Sequence, residues 1–196
     1  MNSPDSSSVI LLGMKHSGKT THGKQLAAML GWPFADLDEI TEREYDPARS
    51  RTCREIYAAH GREYFARLET RAAALLAGRL GHEGMIVALG GGTIENDLAM
   101  NALRGAGIMV YLQDTEERLY ERIMKNGLPA FLSPDDPAGS FSRLYERRTD
   151  LYRKSADLIV DIENKNVEGA FEALLTALRD EAGWTPILHL RPKMRT

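Results

Sequence analysis

A glycine-rich segment near the start of the chain has the residue types and spacing of a phosphate-binding loop. Residues 13–20 read Gly-Met-Lys-His-Ser-Gly-Lys-Thr, which fits G-x-x-x-x-G-K-[ST], and they follow the apolar run Val9–Leu12. The glycines let backbone N–H groups converge, and the following helix adds unpaired N–H groups and the positive end of its dipole. This predicts a cage for nucleotide phosphates, in which Lys19 reaches the β- and γ-phosphates and the Thr20 hydroxyl holds Mg²⁺. The expected nucleotide-binding residues of this segment are Gly13, Met14, Lys15, His16, Ser17, Gly18, Lys19, Thr20 and Thr21.

Two carboxylates, Asp36 and Asp38, follow the second apolar run at residues 33–35. Side chains at i and i+2 of an extended segment point the same way. At the carboxyl end of a strand they would face the phosphate site, where one binds Mg²⁺ and the other accepts a proton from a substrate hydroxyl. The alternative is a turn with a helix cap. The neighbouring phosphate-binding loop favours the catalytic interpretation.

Two further motifs have residue types that suit an acceptor site. Gly90, Gly91 and Gly92 follow a third apolar run, and three residues without side chains allow a ligand to approach the backbone closely. Arg147 and Arg148 can stabilise phosphate charge or clamp a carboxylate. The alternatives are a flexible strand-to-helix turn and an exposed basic helix face.

The elements that must position these residues alternate along the chain between apolar strands and amphipathic helices. The predicted strands are Val9–Leu12, 33–35, 85–89, 108–112 and 158–162, and the predicted helices are Lys19–Leu30, 52–59, 63–77, 96–104, 116–125, 140–153 and 168–182. This order predicts a three-layer α/β/α fold, with a five-stranded parallel sheet covered by helices on both faces. Ligands then bind beyond the carboxyl ends of the strands. Residues 127–139, which contain three prolines and two glycines, are predicted to be a lid without regular structure.

Composition limits the function classes further. The chain has 196 residues, 43% of them apolar and 27% charged, and a net charge of −3, which predicts one globular domain without affinity for nucleic acid. No apolar run approaches the roughly 18 residues that span a bilayer, and Cys53 is the single cysteine. We expect a cytoplasmic protein without a membrane anchor, with one domain over residues 1–196. That domain has a core at 8–182 and a C-terminal tail at 183–196.

Taken together, the motifs resemble those of shikimate kinases, small P-loop kinases with the nucleoside monophosphate kinase fold, over about residues 9–178. The resemblance implies an enzyme that uses ATP and Mg²⁺ to phosphorylate the 3-hydroxyl of shikimate, a small-molecule substrate of aromatic amino acid biosynthesis. Enzymes of this kind are commonly monomers. Helices containing Arg54–Tyr57 and Gly61–Glu69 resemble the substrate-binding helices of the family.

The resemblance also implies roles for individual residues. Asp36 would lie near Mg²⁺ and Asp38 at the shikimate hydroxyls, while the glycine triplet contacts substrate through its backbone and Arg148 grips the carboxylate. Arg122 resembles the arginine that packs on adenine, and Lys165 is a candidate for the other side of the base. The implied catalytic residues are Lys19, Asp38 and Arg148, and the implied substrate-binding residues are Asp38, Arg67, Gly90, Gly91, Gly92 and Arg148.

Two positions depart from the family pattern. Phe-Arg-x-x-Glu is usual on the substrate-binding helix, whereas Ala66 follows Phe65 here and Arg67 comes one place later, about 100° round the helix. The lid usually reads Arg-Pro-Leu-Leu, whereas Leu128 stands at the arginine position. Losing one of two arginines on a carboxylate costs about 1.5–3 kcal/mol. Two alternatives therefore stay open: a related kinase for another polyol or sugar acid, and a weakly catalytic nucleotide-binding regulatory module.

Overall fold

A five-stranded parallel sheet forms the middle layer of the protein, whose computed structural model describes residues 8–80, 84–125, 127–129 and 131–184. The strands are β1 (Val9–Leu12), β2 (Phe34–Asp36), β3 (Ile86–Ala88), β4 (Ile108–Gln113) and β5 (Leu158–Asp161). Their spatial order is β2-β3-β1-β4-β5, and Ile10 of the central strand pairs with Val87 on one side and Met109 on the other. The predicted fold class is confirmed.

Helices connect the strands and cover both faces of the sheet. They are α1 (Lys19–Leu30), α2 (Leu37–Tyr45), α3 (Cys53–Leu80), α4 (Asp97–Leu103), α5 (Glu116–Met124), α6 (Pro137–Ser155) and α7 (Val167–Asp180), with a 3-10 turn at Thr93–Glu95. Within α3 the chain kinks at Gly61, whose φ of 77° lies in the left-handed region, so the predicted break between two helices is present. None of the helices in the described part of the chain is both long and apolar enough to cross a membrane.

Two of the sequence-based assignments need correction. The segment through Asp38 was expected to be extended, but α2 begins at Leu37: Asp36 caps it by accepting from the Asp38 N–H, and Leu37 and Thr41 bury one face. The predicted lid was expected to lack regular structure through residue 139, but α6 already begins at Pro137. A proline is tolerated in the first helical turn, where its missing N–H is not needed, and Asp136 caps the turn through the Gly139 N–H.

The alternation of side chains along the strands produces a separate core on each face of the sheet. Val9 and Leu11 of β1 point toward α1 and α7, whereas Ile10 and Leu12 point toward α3, α4, α5 and α6. The two cores cover both faces of the sheet. The loops that follow the strands therefore converge at the carboxyl ends of the strands.

The residue that ends the described chain belongs to the first of these cores. Trp184 is only 3% exposed, and its ring packs edge-on against Trp32 with 5.4 Å between centroids. The backbone N–H of Trp184 donates to the Leu178 carbonyl at 2.9 Å. The start of the predicted C-terminal tail therefore packs on the body of the protein, and residues 185–196 of that tail lie outside the described ranges.

Replacing Trp184 with alanine should lower the free energy of unfolding by about 3 kcal/mol, because the change removes a buried indole and leaves a cavity beside Trp32. Urea unfolding followed by circular dichroism measures this loss. The control is Leu98→Ala on α4, which truncates a side chain that is 67% exposed and should change stability little. A loss below about 0.5 kcal/mol for the tryptophan variant would show that its packing contributes little.

Candidate active site

The phosphate-binding loop takes its shape from backbone angles that glycine favours. Gly13 has φ 145° and Gly18 has φ 92°, and a Cβ at Gly13 would lie 2.7 Å from Ser17 Oγ. A side chain at either position would therefore strain the turn or fill it. Strand β1 delivers the chain to this turn from the core, and Gly18 is the residue before the first turn of α1. The loop thus places the open N–H groups of α1 at the carboxyl edge of the sheet.

The Lys19 ammonium lies inside this loop. Its side chain is buried, and Nζ donates to the carbonyls of Gly13 and Met14, both at 2.8 Å. Burial lowers the pKa of Lys19 to about 8, although the charges of Asp38 and Asp36 oppose the shift. The cation is therefore held at the loop by weakly competing carbonyl oxygens, which phosphate oxygens can replace.

Asp36 serves two purposes at the end of β2. Its Oδ1 accepts from the Asp38 N–H at 3.0 Å, which caps α2, and its Oδ2 accepts from the Thr20 hydroxyl at 3.1 Å. Asp36 therefore caps a helix, as the alternative interpretation predicted, and it also lies beside Thr20. Within the described ranges no group of three or more His, Cys, Asp or Glu side chains could hold a metal ion. An oxygen pair of this kind suits Mg²⁺, which binds one or two protein oxygens together with waters and phosphates.

Asp38 lies in the acceptor half of the site, against the glycine triplet. A Cβ at Gly90 would overlap Asp38 Oδ1, so the carboxylate and the triplet are in direct contact. Solvent reaches Asp38, yet it stands in a crowded cleft. Desolvation there, followed by the charges of Asp36 and Glu69, raises the pKa of Asp38 to about 6 against the opposing charge of Lys19.

The glycine triplet touches the phosphate-binding loop through its backbone. A Cβ at Gly91 would lie 2.9 Å from the Lys15 nitrogen, and one at Gly92 would lie 3.4 Å from Arg148 Nη2. The Tyr152 hydroxyl on α6 donates to the Gly91 carbonyl at 2.6 Å. The triplet is therefore fixed between the donor loop on one side and α6 on the other.

Arg148 already has a carboxylate partner within the chain. Its Nε and Nη2 donate to Glu95 Oε2 at 2.9 and 2.7 Å, and Arg147 Nε donates to Oε1 of the same residue at 2.7 Å. Burial would raise the pKa of Glu95, but the nearby guanidiniums, that of Arg148 foremost, outweigh burial and hold the pKa below its ordinary value. Arg147 and Arg148 are thus both paired with Glu95. They form neither an unoccupied carboxylate clamp nor an unpaired basic helix face.

Arg122 and Lys165, the two residues expected around the base, are linked through Asp114, whose side chain is fully buried. Arg122 Nη1 lies 2.9 Å from Asp114 Oδ2 and donates to the His16 carbonyl at 3.1 Å. Arg118 contacts Asp114 at 3.4 Å and donates to the Lys165 carbonyl at 3.1 Å. Arg122 therefore borders the loop, whereas Lys165 is linked to Arg118 through its carbonyl and its side chain is exposed.

Arg67 lies apart from the other site residues. Its side chain is 65% exposed, and Nη1 lies 3.9 Å from Glu63 Oε2 on the same helix. Ala66, at the position where an arginine was expected, contributes its carbonyl, which accepts from Asn96 Nδ2 at 2.9 Å. The one-residue shift thus turns the arginine toward solvent.

Three residues that hold the site together were missed from sequence. Tyr152 had a signal, since it follows Arg148 by four residues and shares its helix face. Glu69 also had a signal, since it is the glutamate of the Phe-Arg-x-x-Glu pattern, whereas Glu95 had none, because its partners are distant in the chain. Glu69 is 5% exposed and accepts from the Thr93 hydroxyl at 2.6 Å and from Asn96 Nδ2 at 2.8 Å, which ties α3 to the turn after the triplet.

This chain is similar in sequence and in structure to shikimate kinases. A sequence model of shikimate kinases matches residues 15–179. The shikimate kinase of Chlamydia pneumoniae is 32% identical over 177 residues, which cover 87% of this chain and 98% of the relative. A shikimate kinase from Acinetobacter baumannii, solved in complex with shikimate, superposes with a TM-score of 0.71 at 28% identity and covers 96% of this chain and 95% of its own. The Aquifex aeolicus shikimate kinase superposes with a TM-score of 0.73 at 26% identity, over 90% of this chain and 99% of that one.

Replacing Asp38 with asparagine should stabilise the protein at neutral pH. Because the pKa of Asp38 in the folded state, about 6, exceeds its ordinary 3.8, ionising the carboxyl costs the folded state free energy as pH rises through that window. The variant should gain about 1 kcal/mol above pH 6, since solvent screens a carboxylate that it can reach, and the gain should vanish below about pH 4.

Thermal unfolding between pH 4 and pH 8, with a chelator and without nucleotide, measures the effect of this variant. Asp150→Asn on α6 is the matched control, because it removes the same charge from an exposed position. If the Asp38 variant is no more stable than the wild type at pH 7.5, the fold does not disfavour the ionised Asp38 carboxylate.

Proposed function

Because this chain belongs to the shikimate kinase family, we propose that it transfers the γ-phosphoryl group of ATP to the 3-hydroxyl of shikimate. One observation carries the proposal. The backbone contact between Gly91 and Lys15 joins a phosphate-binding loop to a triplet flanked by Asp38 and Arg148. Phosphoryl transfer needs a donor and an acceptor aligned in this way. The two alternatives, a kinase for another polyol or sugar acid and a regulatory module, are not favoured by the relatives.

The nucleotide would lie along the loop and the start of α1. Residues 13–21 would surround the phosphates with N–H groups, and Lys19 would exchange its two carbonyl partners for phosphate oxygens. Arg122 borders the loop, and Lys165 is linked to it through Arg118 and Asp114; we assign Arg122 and Lys165 to the two faces of the base. Thr20 and Asp36 would hold Mg²⁺, which supplies neutralisation of the phosphate charge when bound.

The acceptor would lie on the glycine triplet. Asp38 would accept the proton of the attacking hydroxyl, whose oxygen forms a bond to the γ-phosphorus while the bond to the bridging oxygen of ADP breaks. Lys19 would offset the charge on the transferred group from the other side. Because Gly90, Gly91 and Gly92 have no side chains, the acceptor can approach the donor loop closely.

We assign the acceptor carboxylate to Arg148 rather than to Arg67. Arg148 borders Gly92, whereas Arg67 lies in solvent beside Glu63. We also propose that residues 1–196 act as a single domain and as a cytoplasmic monomer. The support for one domain is that both cores share one sheet.

The variant Lys19→Ala should lower ATP turnover with shikimate at least about a hundredfold, because it removes the cation that offsets charge on the transferred phosphoryl group. A coupled ADP-release assay measures the rate. Lys24→Ala is the control, since Lys24 lies on the same helix with its ammonium over the Phe34 ring, away from the loop. Turnover retained in the Lys19 variant would refute the assignment of the donor site.

The variant Gly91→Ala should lower kcat about tenfold or more while ADP still binds, because the added methyl group pushes the acceptor turn away from the Lys15 backbone. Steady-state kinetics gives kcat, and calorimetry gives the ADP affinity. Gly78→Ala on α3 is the matched control, since its Cβ would meet open space and alanine favours a helix. A wild-type kcat in the Gly91 variant would show that the contact does not set the alignment.

A further inference from the structure

Glu95 is paired with the Arg148 guanidinium, which the proposed function assigns to the carboxylate of the acceptor. We infer that Glu95 is an internal carboxylate that competes with the carboxylate of the acceptor for Arg148, and that it thereby sets acceptor affinity. The inference rests on the proposed function, because it takes the acceptor to be a carboxylate. Among the residues that the structure describes, Glu95 is the carboxylate paired with Arg148.

The contact geometry makes the two carboxylates compete for the same edge of the Arg148 guanidinium. A planar guanidinium binds a carboxylate through two adjacent N–H donors. Arg148 directs Nε and Nη2 at Glu95 Oε2, and Nη2 is also the atom that borders Gly92 of the triplet. The arginine side chain is only 16% exposed, so few directions remain for another anion. An acceptor carboxylate on the triplet meets Nη2 first, so it shares that nitrogen with Glu95 unless Glu95 moves away.

Arg147 gives Glu95 a partner that it can keep. The Arg147 Nε donates to Oε1 at 2.7 Å, whereas Arg148 uses Oε2, so the two arginines bind different oxygens. Two guanidiniums and one carboxylate leave one formal positive charge, which attracts a second carboxylate. When that second carboxylate takes Arg148, Glu95 remains paired with Arg147 and no half-buried charge is left alone.

The opposite role for Glu95 would be to hold Arg148 in a productive position. The two roles predict opposite signs for the isosteric variant Glu95→Gln. A competitor that loses its charge releases Arg148, so KM for shikimate falls. A positioning residue that loses its charge frees the guanidinium to move, so KM rises.

The test is steady-state kinetics of Glu95→Gln with shikimate and with its neutral methyl ester. If Glu95 and the acceptor carboxylate exchange on Arg148, KM for shikimate should fall about three- to tenfold in this variant, while kcat changes little. This is the size expected when a partly exposed ion pair no longer competes. The KM for the ester should stay unchanged, because an ester does not need Arg148. Glu146→Gln is the control, since it removes the same charge from an exposed position on α6.

A second variant tests the same exchange from the other side. Arg147→Ala leaves Glu95 with Arg148 alone, so KM for shikimate should rise about threefold. That rise should disappear in the double variant Arg147→Ala with Glu95→Gln, because no competitor is left. The single variant Arg147→Ala keeps the inference testable if Glu95→Gln folds poorly, because an unchanged KM for shikimate in that variant would contradict the exchange.

The outcomes separate this inference from the proposed function. Turnover of shikimate with a raised or unchanged KM in Glu95→Gln would overturn the exchange and leave the kinase assignment intact. No turnover of shikimate by the wild type would overturn the acceptor, and the exchange with it.

Discussion

The backbone contact between Gly91 and Lys15 is the constraint on which the active site depends. It sets the acceptor turn directly against the donor loop, at a separation where a single methyl group does not fit. Two side chains hold the turn in this place from outside. Tyr152 binds the Gly91 carbonyl from α6, and Glu69 binds Thr93 from α3. The alignment of donor and acceptor thus comes from elements that are themselves packed in one core.

The charged groups of the site, like the glycine triplet, are held by partners within the chain. Several side chains with an assigned role in binding an anion or a cation already have partners within the chain. These pairs are Lys19 with two loop carbonyls, Thr20 with Asp36, Arg122 with Asp114 and the His16 carbonyl, and Arg148 with Glu95. A buried charge without a partner is costly, so internal pairing lets the fold keep these groups in place. Binding of substrates is then an exchange of partners, whose net free energy is smaller than that of any single new contact.

Sequence predicted well what depends on neighbours in the chain and poorly what depends on tertiary packing. The phosphate-binding loop, the five strands and the kink at Gly61 follow from local glycine spacing and apolar runs. Helix α2 was missed because Asp36 and Asp38 were interpreted as the extended end of a strand, whereas Asp36 caps a helix that begins at Leu37. Glu95 could not be found, because the ion pair with Arg148 joins residues that are 53 positions apart. The position of Arg148 beside the triplet could be predicted, but its partner could not.

The positions that depart from the family pattern bear on the proposed recognition of the acceptor. With Ala66 at the arginine position of that pattern, and with Arg67 turned toward solvent, neither of these two positions adds a guanidinium beside Arg148. Both arginines of that cluster lie on α6, next to each other in sequence and on opposite oxygens of Glu95. On the proposed assignment, α6 carries both the guanidinium that recognises a carboxylate and, through Tyr152, the hydroxyl that holds Gly91. Because Glu95 takes no part in the hydrogen bond between Tyr152 and Gly91, an acceptor that displaces Glu95 from Arg148 leaves that hydrogen bond in place.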